Sequence, residues 1–484
     1  MDEDVRSGEA AAARLAGGGL LAEVLDVADP RAWTALDAGV RSWGWYRARD
    51  LPDRAWVEGR VRQIRKPAEG KDRGLLRLAR RRPEPVRAEE PVESWLALAL
   101  CHPDGRTREA ALALAAEHPA LVPLVVVRAA DWAGPVREAA RELLRECLDV
   151  DTAVSLAPLI LRVGRRERGT YGVELLGEVL RRAPRGMFDS LFGHPDRGLR
   201  RFVYRVAVEE SFLSPARLAR TAARDDDVVV QNLCAEAALA AVREGGDGED
   251  VLEALLGARN PRVRSAGVTA LRRAGRAERA AEFLIDRSAV VRACARYVVR
   301  QSGAEPLRRY RELCADAGDP ALPPGAAIGL AECGERGDAE LLYPLLTHPA
   351  PTVRARAVAG LRTLDVTDTE RLRPLLDDPA PGVVREATLA LLPSAALLPE
   401  AWLAERLAPG RSRPVRVAAF RLLEARGGVV RLRAAVRLLD DPDGKLRARA
   451  ARSARAWYPA AALRADAEAD ELLARARRLL RSGC

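Results

Sequence analysis

Aromatic residues make up only 4% of this 484-residue chain, methionine occurs 2 times and histidine 4 times, and lysine stands only at Lys66, Lys71 and Lys445. Sheet cores draw on β-branched and aromatic residues, so a chain built largely from Ala, Leu and Arg points to helix. No run approaches the ~18–20 uninterrupted apolar residues of a membrane helix, and no membrane is expected among its partners. The opening Met-Asp-Glu-Asp lacks the basic stretch of a secretory leader. Seven cysteines (101, 147, 234, 294, 314, 333 and 484) include no Cys-x-x-Cys pair. That usage leads us to expect reduced thiols and a cytoplasmic location. Phosphate loops, nucleophile elbows, zinc quartets and kinase signatures are also missing. The expectation is therefore a non-catalytic protein without cofactor or metal.

What the chain does have is a repeat. The fragments GPVREAARELL, NPRVRSAGVTAL, APTVRARAVAGL, APGVVREATLALL and SRPVRVAAFRLL vary one phrase. Anchoring on its arginine gives Arg108, Arg137, Arg168, Arg200, Gln231, Arg264, Arg292, Pro323, Arg354, Arg385, Arg416 and Arg447, mostly 31 residues apart. The units at Arg168 and Pro323 are placed by spacing alone. Apolar residues recur one before the anchor and seven after it, with small residues such as Ala140, Cys234, Ala295 and Ala357 three after it. Those offsets share one helical face. A second apolar helix precedes each phrase, as in PALVPLVVVRAA and AELLYPLLTH. Each unit is thus an antiparallel helix pair that cannot bury its apolar face alone. The expected fold is all-α, an α-solenoid of about twelve stacked pairs.

The phrase Asp-Pro-x-x-x-Val-Arg-x-x-Ala-x-x-x-Leu resembles HEAT repeats, and its short period is similar to the phycobilisome-lyase-type HEAT-like subgroup. Asp131 with Arg137, Asp286 with Arg292 and Asp441 with Arg447 match that family's Asp-then-Arg pair six residues apart. The resemblance spans roughly 92–458. It implies an armadillo-like helical scaffold and protein binding rather than an activity. The iron ligands of HEAT-type deoxyhypusine hydroxylases are His-Glu pairs, and no His-Glu dipeptide occurs here. No feature marks a bilin site.

Around the repeats we read an N-terminal helical cap or small non-repeat module at 1–91 and a C-terminal capping helix at 459–484. His102, His194 and His348 sit six residues before an anchor, where Asp131, Asp225, Asp286 and Asp441 also stand. They read as turn acceptors rather than metal ligands. The anchor arginines read as partners of turn carboxylates in their own or a neighbouring unit. Four of eight tryptophans, Trp33, Trp43, Trp45 and Trp56, precede residue 60. Trp43, Trp45 and Tyr46 interleave with arginines in a composition suited to anchoring a partner or stacking on bases.

The formal charge of +10 is unevenly placed: segment 60–82 carries +8 and 405–484 carries +10, while the remainder is mildly acidic. Partner or nucleic-acid contacts are expected at Trp43, Trp45, Tyr46, Arg60, Arg62, Arg65, Lys66, Arg77, Arg449, Arg452 and Arg455. A protein partner along the solenoid surface is the leading reading. The alternative is a nucleic-acid-binding HEAT protein using the two basic segments, drawn to polyanions by counterion release. That alternative resembles the HEAT-like alkylpurine DNA glycosylases, which place an Asp and tryptophans on a basic face. The one adjacent Asp-Trp here is Asp131-Trp132, and Asp131 already fills the turn column. An arginine-rich, lysine-poor chain also fits a GC-biased genome, in which basic patches are solvated faces. No oligomeric state is specified by the pattern.

Overall fold

The computed structural model describes residues 3–65, 92–243, 248–457 and 467–482. Among these, every regular element is a helix. The chain forms two compact units, Met1–Leu218 with Asp225–Ala237, and Ala219–Arg224 with Ala238–Cys484. Within each, helix pairs stack in chain order, each packing on the pair before and the pair after. Both are all-α solenoid segments.

The local chemistry of one pair recurs. Val122–Arg128 is followed by a short turn and then by Gly134–Cys147, which opens on Gly-Pro. Proline is tolerated there because the first helical N–H groups lack intrahelical partners. Pro261–Arg273, Pro351–Thr363 and Pro381–Leu391 begin the same way. The apolar columns turn inward: Val136, Ala140 and Leu144 are buried in one helix, and Val353, Ala357 and Leu361 in another. Each buried leucine contributes about 1.5–3 kcal/mol. The small column sets the spacing. A Cβ added to Gly267 would stand 3.0 Å from the Leu255 side chain of the preceding helix.

Two units depart from the spacing. At the third, the helix is Thr170–Arg182, whose buried residues are Gly172, Leu175, Leu176, Gly177 and Leu180, with Leu176 and Leu180 fully enclosed. The anchor position is therefore Val173, and Arg168 lies outside the helix with its side chain 45% exposed beside Glu167. At the tenth, Val383, Ala387 and Leu391 are fully buried. Val384 fills the anchor column there, and Arg385 points outward. Burial of the apolar face, not the arginine, fixes the register. At Pro323 the expected columns hold: Leu322, Ala326 and Leu330 are buried, although the helix starts only at Pro324.

The first helices pack onto this array. Glu3–Ala16 crosses Pro30–Arg47 at Gly8 and Gly39. A Cβ on Gly8 would lie 1.9 Å from the Ala35 carbonyl oxygen, and one on Gly39 would lie 2.1 Å from the Gly8 carbonyl carbon. Only glycine permits that approach. Pro30–Arg47 then packs on Val92–Cys101, Val122–Arg128 and Val150–Val163. At the other end Ala467–Ser482 packs on Gly428–Leu438 and Gly444–Arg455.

Candidate partner-binding surfaces

Most of the arginines that the repeat singles out face inward, onto a ladder between units. Arg108 donates from Nη1 to the carbonyls of His102 (2.8 Å) and Pro103 (2.9 Å) in its own turn. Its Nε and Nη2 reach the Asp131 carboxylate of the next turn at 3.0 and 2.8 Å. Arg264 repeats this on Ala258 and Asp286, and Arg354 on His348 and Asp378. Arg416 pairs with Asp441, and Arg292 with the Asp286 carbonyl and Glu332. Gln231 copies the first half, donating to the Asp225 carbonyl. The Asp-then-Arg pair six apart is thus not one ion pair. The Asp carbonyl takes the later arginine, and its carboxylate takes the arginine of the preceding unit.

The same carboxylates close their own turns, with Oδ1 accepting from the N–H two residues on, as Asp131 does from Ala133 at 3.0 Å. The histidines fill that role as the sequence suggests. His102, His194 and His348 accept through Nδ1 from Asp104, Asp196 and Ala350 at 2.9, 3.1 and 3.0 Å. Among the described residues no group of His, Cys, Asp and Glu could hold a metal ion.

A buried ion cluster joins the first helices to the array. Asp37 of Pro30–Arg47 pairs with Arg128, and Arg128 Nη1 also reaches Asp131 at 2.9 Å. Arg41 lies 3.1 Å from Asp37 and 3.4 Å from Asp131, and Arg166 lies 3.5 Å from Asp37. Burial alone would raise the Asp37 carboxyl, but the charges of Arg128, Arg41 and Arg166 outweigh it and hold its pKa below the usual value. Burial likewise opposes ionisation of Asp131, which Arg108 and Arg128 reverse. Sequence reading passed over Asp37, Arg128 and Arg166. The available signal was a lone charge inside an apolar run, as in the Val-Val-Val-Arg ending at Arg128.

The expected contact residues are dispersed. Trp43 is half-buried, while Tyr46 on the same helix is 88% exposed. Trp45 belongs to that helix, though its side chain is outside the described set. Arg60 lies over the Trp56 ring at 5.6 Å, and Arg62 Nε donates to the Glu58 carbonyl at 3.2 Å. Arg65 ends the helix Arg54–Arg65, its side chain likewise outside the description. Lys66 and Arg77 lie outside the described residues, as does most of the 60–82 segment. Arg449 is held by Glu424 at 2.6 Å, whereas Arg452 and Arg455 are exposed on the same helix, Gly444–Arg455. Trp132 is 62% exposed, but the neighbouring Asp131 is enclosed by arginines.

One concavity in the first unit has a different character. Leu21, Val27, Trp33, Pro119, Val122, Pro123 and Leu156 wall a groove of about 560 Å³. Its charged lining residues are Glu93 and Asp151, with no lysine or arginine. The wall is fixed by Trp33 Nε1 donating to the Val27 carbonyl (3.0 Å) and Ser94 Oγ donating to the Gly19 carbonyl (2.8 Å).

No protein-family model and no curated protein matches the chain. Among solved structures it is similar to importin beta, at 13% identity over 97% of this chain and 64% of that one, with a TM-score of 0.31. It is similar to Kap121p at 12% identity over 93% and 53%, with a TM-score of 0.29. A microtubule polymerase with an array of TOG domains matches at 11% identity over 75% and 89%, with a TM-score of 0.23. The chain thus spans about half to two thirds of the length of the first two. These similarities are distant, and the fold rests on the helix pairs themselves.

Proposed function

We propose that this chain is a non-catalytic scaffold that binds a protein partner along its stacked helix pairs. One column of the anchored helices carries the reading. Five residues after the anchor, six units expose Glu142, Arg205, Glu236, Thr269, Tyr297 and Arg452, whereas Ile328, Ala359 and Ala390 at the same offset are buried. Beneath them the ladder of turns, arginines and small core residues repeats. A constant frame under a face whose exposed residues differ between those six units suits recognition of an extended partner. Affinity capture with cross-linking from the native host is the test. A stoichiometric protein partner is expected, and finding none across growth conditions refutes the reading.

A second reading has its own support. Lys445, Arg452 and Arg455 form an exposed stripe on the terminal anchored helix, and Arg475, Arg477 and Arg481 are exposed on Ala467–Ser482. Such a stripe suits a phosphate backbone. Titration with duplex and single-stranded oligonucleotides at two salt concentrations tests it. Steeply salt-dependent binding that weakens in an Arg452→Ala/Arg455→Ala variant supports it, and no binding at low salt removes it. A glycosylase-like role is not proposed, because the Asp131 carboxylate is engaged by Arg108 and Arg128.

A further inference from the structure

We propose that the groove between Leu21, Val27, Pro123 and Leu156 seats a short segment of a partner protein that sets a large apolar side chain beside lysine or arginine. The inference deepens the scaffold reading, on which it rests, by naming a place and a chemistry.

Shape supports it first. The groove's floor and walls come from four separate chain segments, and it is large enough for more than one side chain. Val27, which lines it, is 51% exposed, so one of the exposed large hydrophobics among the described residues stands at this concavity. An apolar trough whose walls are already fixed costs little reorganisation on binding.

Charge decides the kind of occupant. Glu93 and Asp151 line the groove, and the same segments carry Glu23, Asp26, Asp29, Glu117 and Asp149. Residues 20–29, 93–100, 117–127 and 148–160, which supply these carboxylates, contain no lysine or arginine; the remaining lining residue, Trp33, has Arg31 two residues before it. In a chain of net charge +10 these four stretches carry carboxylates and no guanidinium or ammonium side chain. His118 Nδ1 lies 3.5 Å from Glu93 Oε1, and Arg14 Nη2 donates to the Glu23 carbonyl at 3.1 Å. An acidic rim around an apolar trough repels acidic segments and attracts basic ones, which sets both encounter rate and choice of partner. A nucleic acid is disfavoured here by the same charges.

Panning a library of 12-residue peptides on the immobilised full chain tests the proposal, with a Val27→Arg chain as counter-selection. Val27 is exposed and contributes only its carbonyl to the Trp33 bond, so this variant should fold, and circular dichroism checks it. Recovered peptides should place Leu, Ile or Phe next to Lys or Arg. Fluorescence anisotropy should show binding weakened roughly 10- to 100-fold by Val27→Arg, about the factor that one buried leucine supplies. A Glu93→Gln/Asp151→Asn chain should bind several-fold more weakly with less salt dependence, and Leu397→Arg, on an exposed site in the other unit, should bind normally.

Acidic consensus peptides, or peptides that do not distinguish wild type from Val27→Arg, overturn the proposal. So does concentration-dependent self-association abolished by Val27→Arg, which makes a second copy the occupant. Binding that appears only after deletion of residues 74–82 also overturns it, since that basic, leucine-containing stretch of the chain then competes for the groove. If the Val27→Arg chain still captures a stoichiometric host partner, the groove assignment fails while the scaffold reading stands.

Discussion

Replacing Asp131 by alanine removes the carboxylate that three arginines share. Arg108 and Arg128 are fully buried, and Asp131 receives bonds of 3.0 and 2.8 Å from the first and 2.9 Å from the second. After the change Arg108 keeps the His102 and Pro103 carbonyls and Arg128 keeps Asp37, so neither charge is wholly stranded. Three charge-assisted bonds at about 1.5–3 kcal/mol each bound the loss from above. Breaking one partner of a buried ion pair costs about 3–5 kcal/mol, and the retained contacts place this case near the lower end, about 3 kcal/mol. The lost turn bond to Ala133 adds roughly 1 kcal/mol.

The control is Arg385→Ala, whose side chain is 70% exposed and meets only its neighbour Glu386; it should cost within about 0.5 kcal/mol of nothing. Urea unfolding should show the difference, and hydrogen exchange should localise the loss to Val92–Cys101, Gly105–Ala115 and Val122–Arg128. Adding Arg108→Met to Asp131→Ala should recover part of the stability, because an apolar side chain of similar length suits a site without a counterion. Equal stability of Asp131→Ala and Arg385→Ala refutes the reasoning that the ladder is what joins the units.

Gly39→Ala should destabilise the crossing of the first two long helices by about 1–3 kcal/mol or more, since the new methyl meets backbone and not a movable side chain; faster proteolysis within Glu3–Ala16 reads this out. The carboxyls of Asp37, Asp131 and Asp286 are ionised more readily in the folded chain than at their ordinary value of 3.8. Their stabilisation is therefore complete above pH 3.8 and is lost as pH falls through the lower folded values, so urea midpoints should fall on acidification below about pH 4. Cys101, Cys234 and Cys314 are buried, with thiol pKa values pushed up to about 12. A thiol reagent at pH 8 should leave these three unmodified in the native chain and reach all seven cysteines after denaturation.

The repeat was legible because periodic burial leaves a periodic sequence. Columns of Val, Ala and Leu around each anchor predicted the buried faces in ten units, and the histidines were readable as turn acceptors because they alternate with aspartate in one column. The two displaced units show the limit. Arg168 and Arg385 match the phrase by spacing or letter, yet Val173 and Val384 occupy the helix position, because the chain settles on the register that buries Leu176, Leu180 and Leu391. That Arg108 takes the carbonyls of its own turn and the carboxylate of the next unit's Asp131 was also beyond the letters, which left both units open.

Length, helical class, period and the uneven placement of charge followed from sequence alone, since each is a local or additive property of the chain. Contacts between residues distant in sequence were decided by packing. Asp37 meets Arg128 because Gly8 and Gly39 let two helices close and carry that carboxylate onto the array. The acidic groove likewise exists only where four separated segments converge, each too short and too mildly charged to stand out within a basic chain.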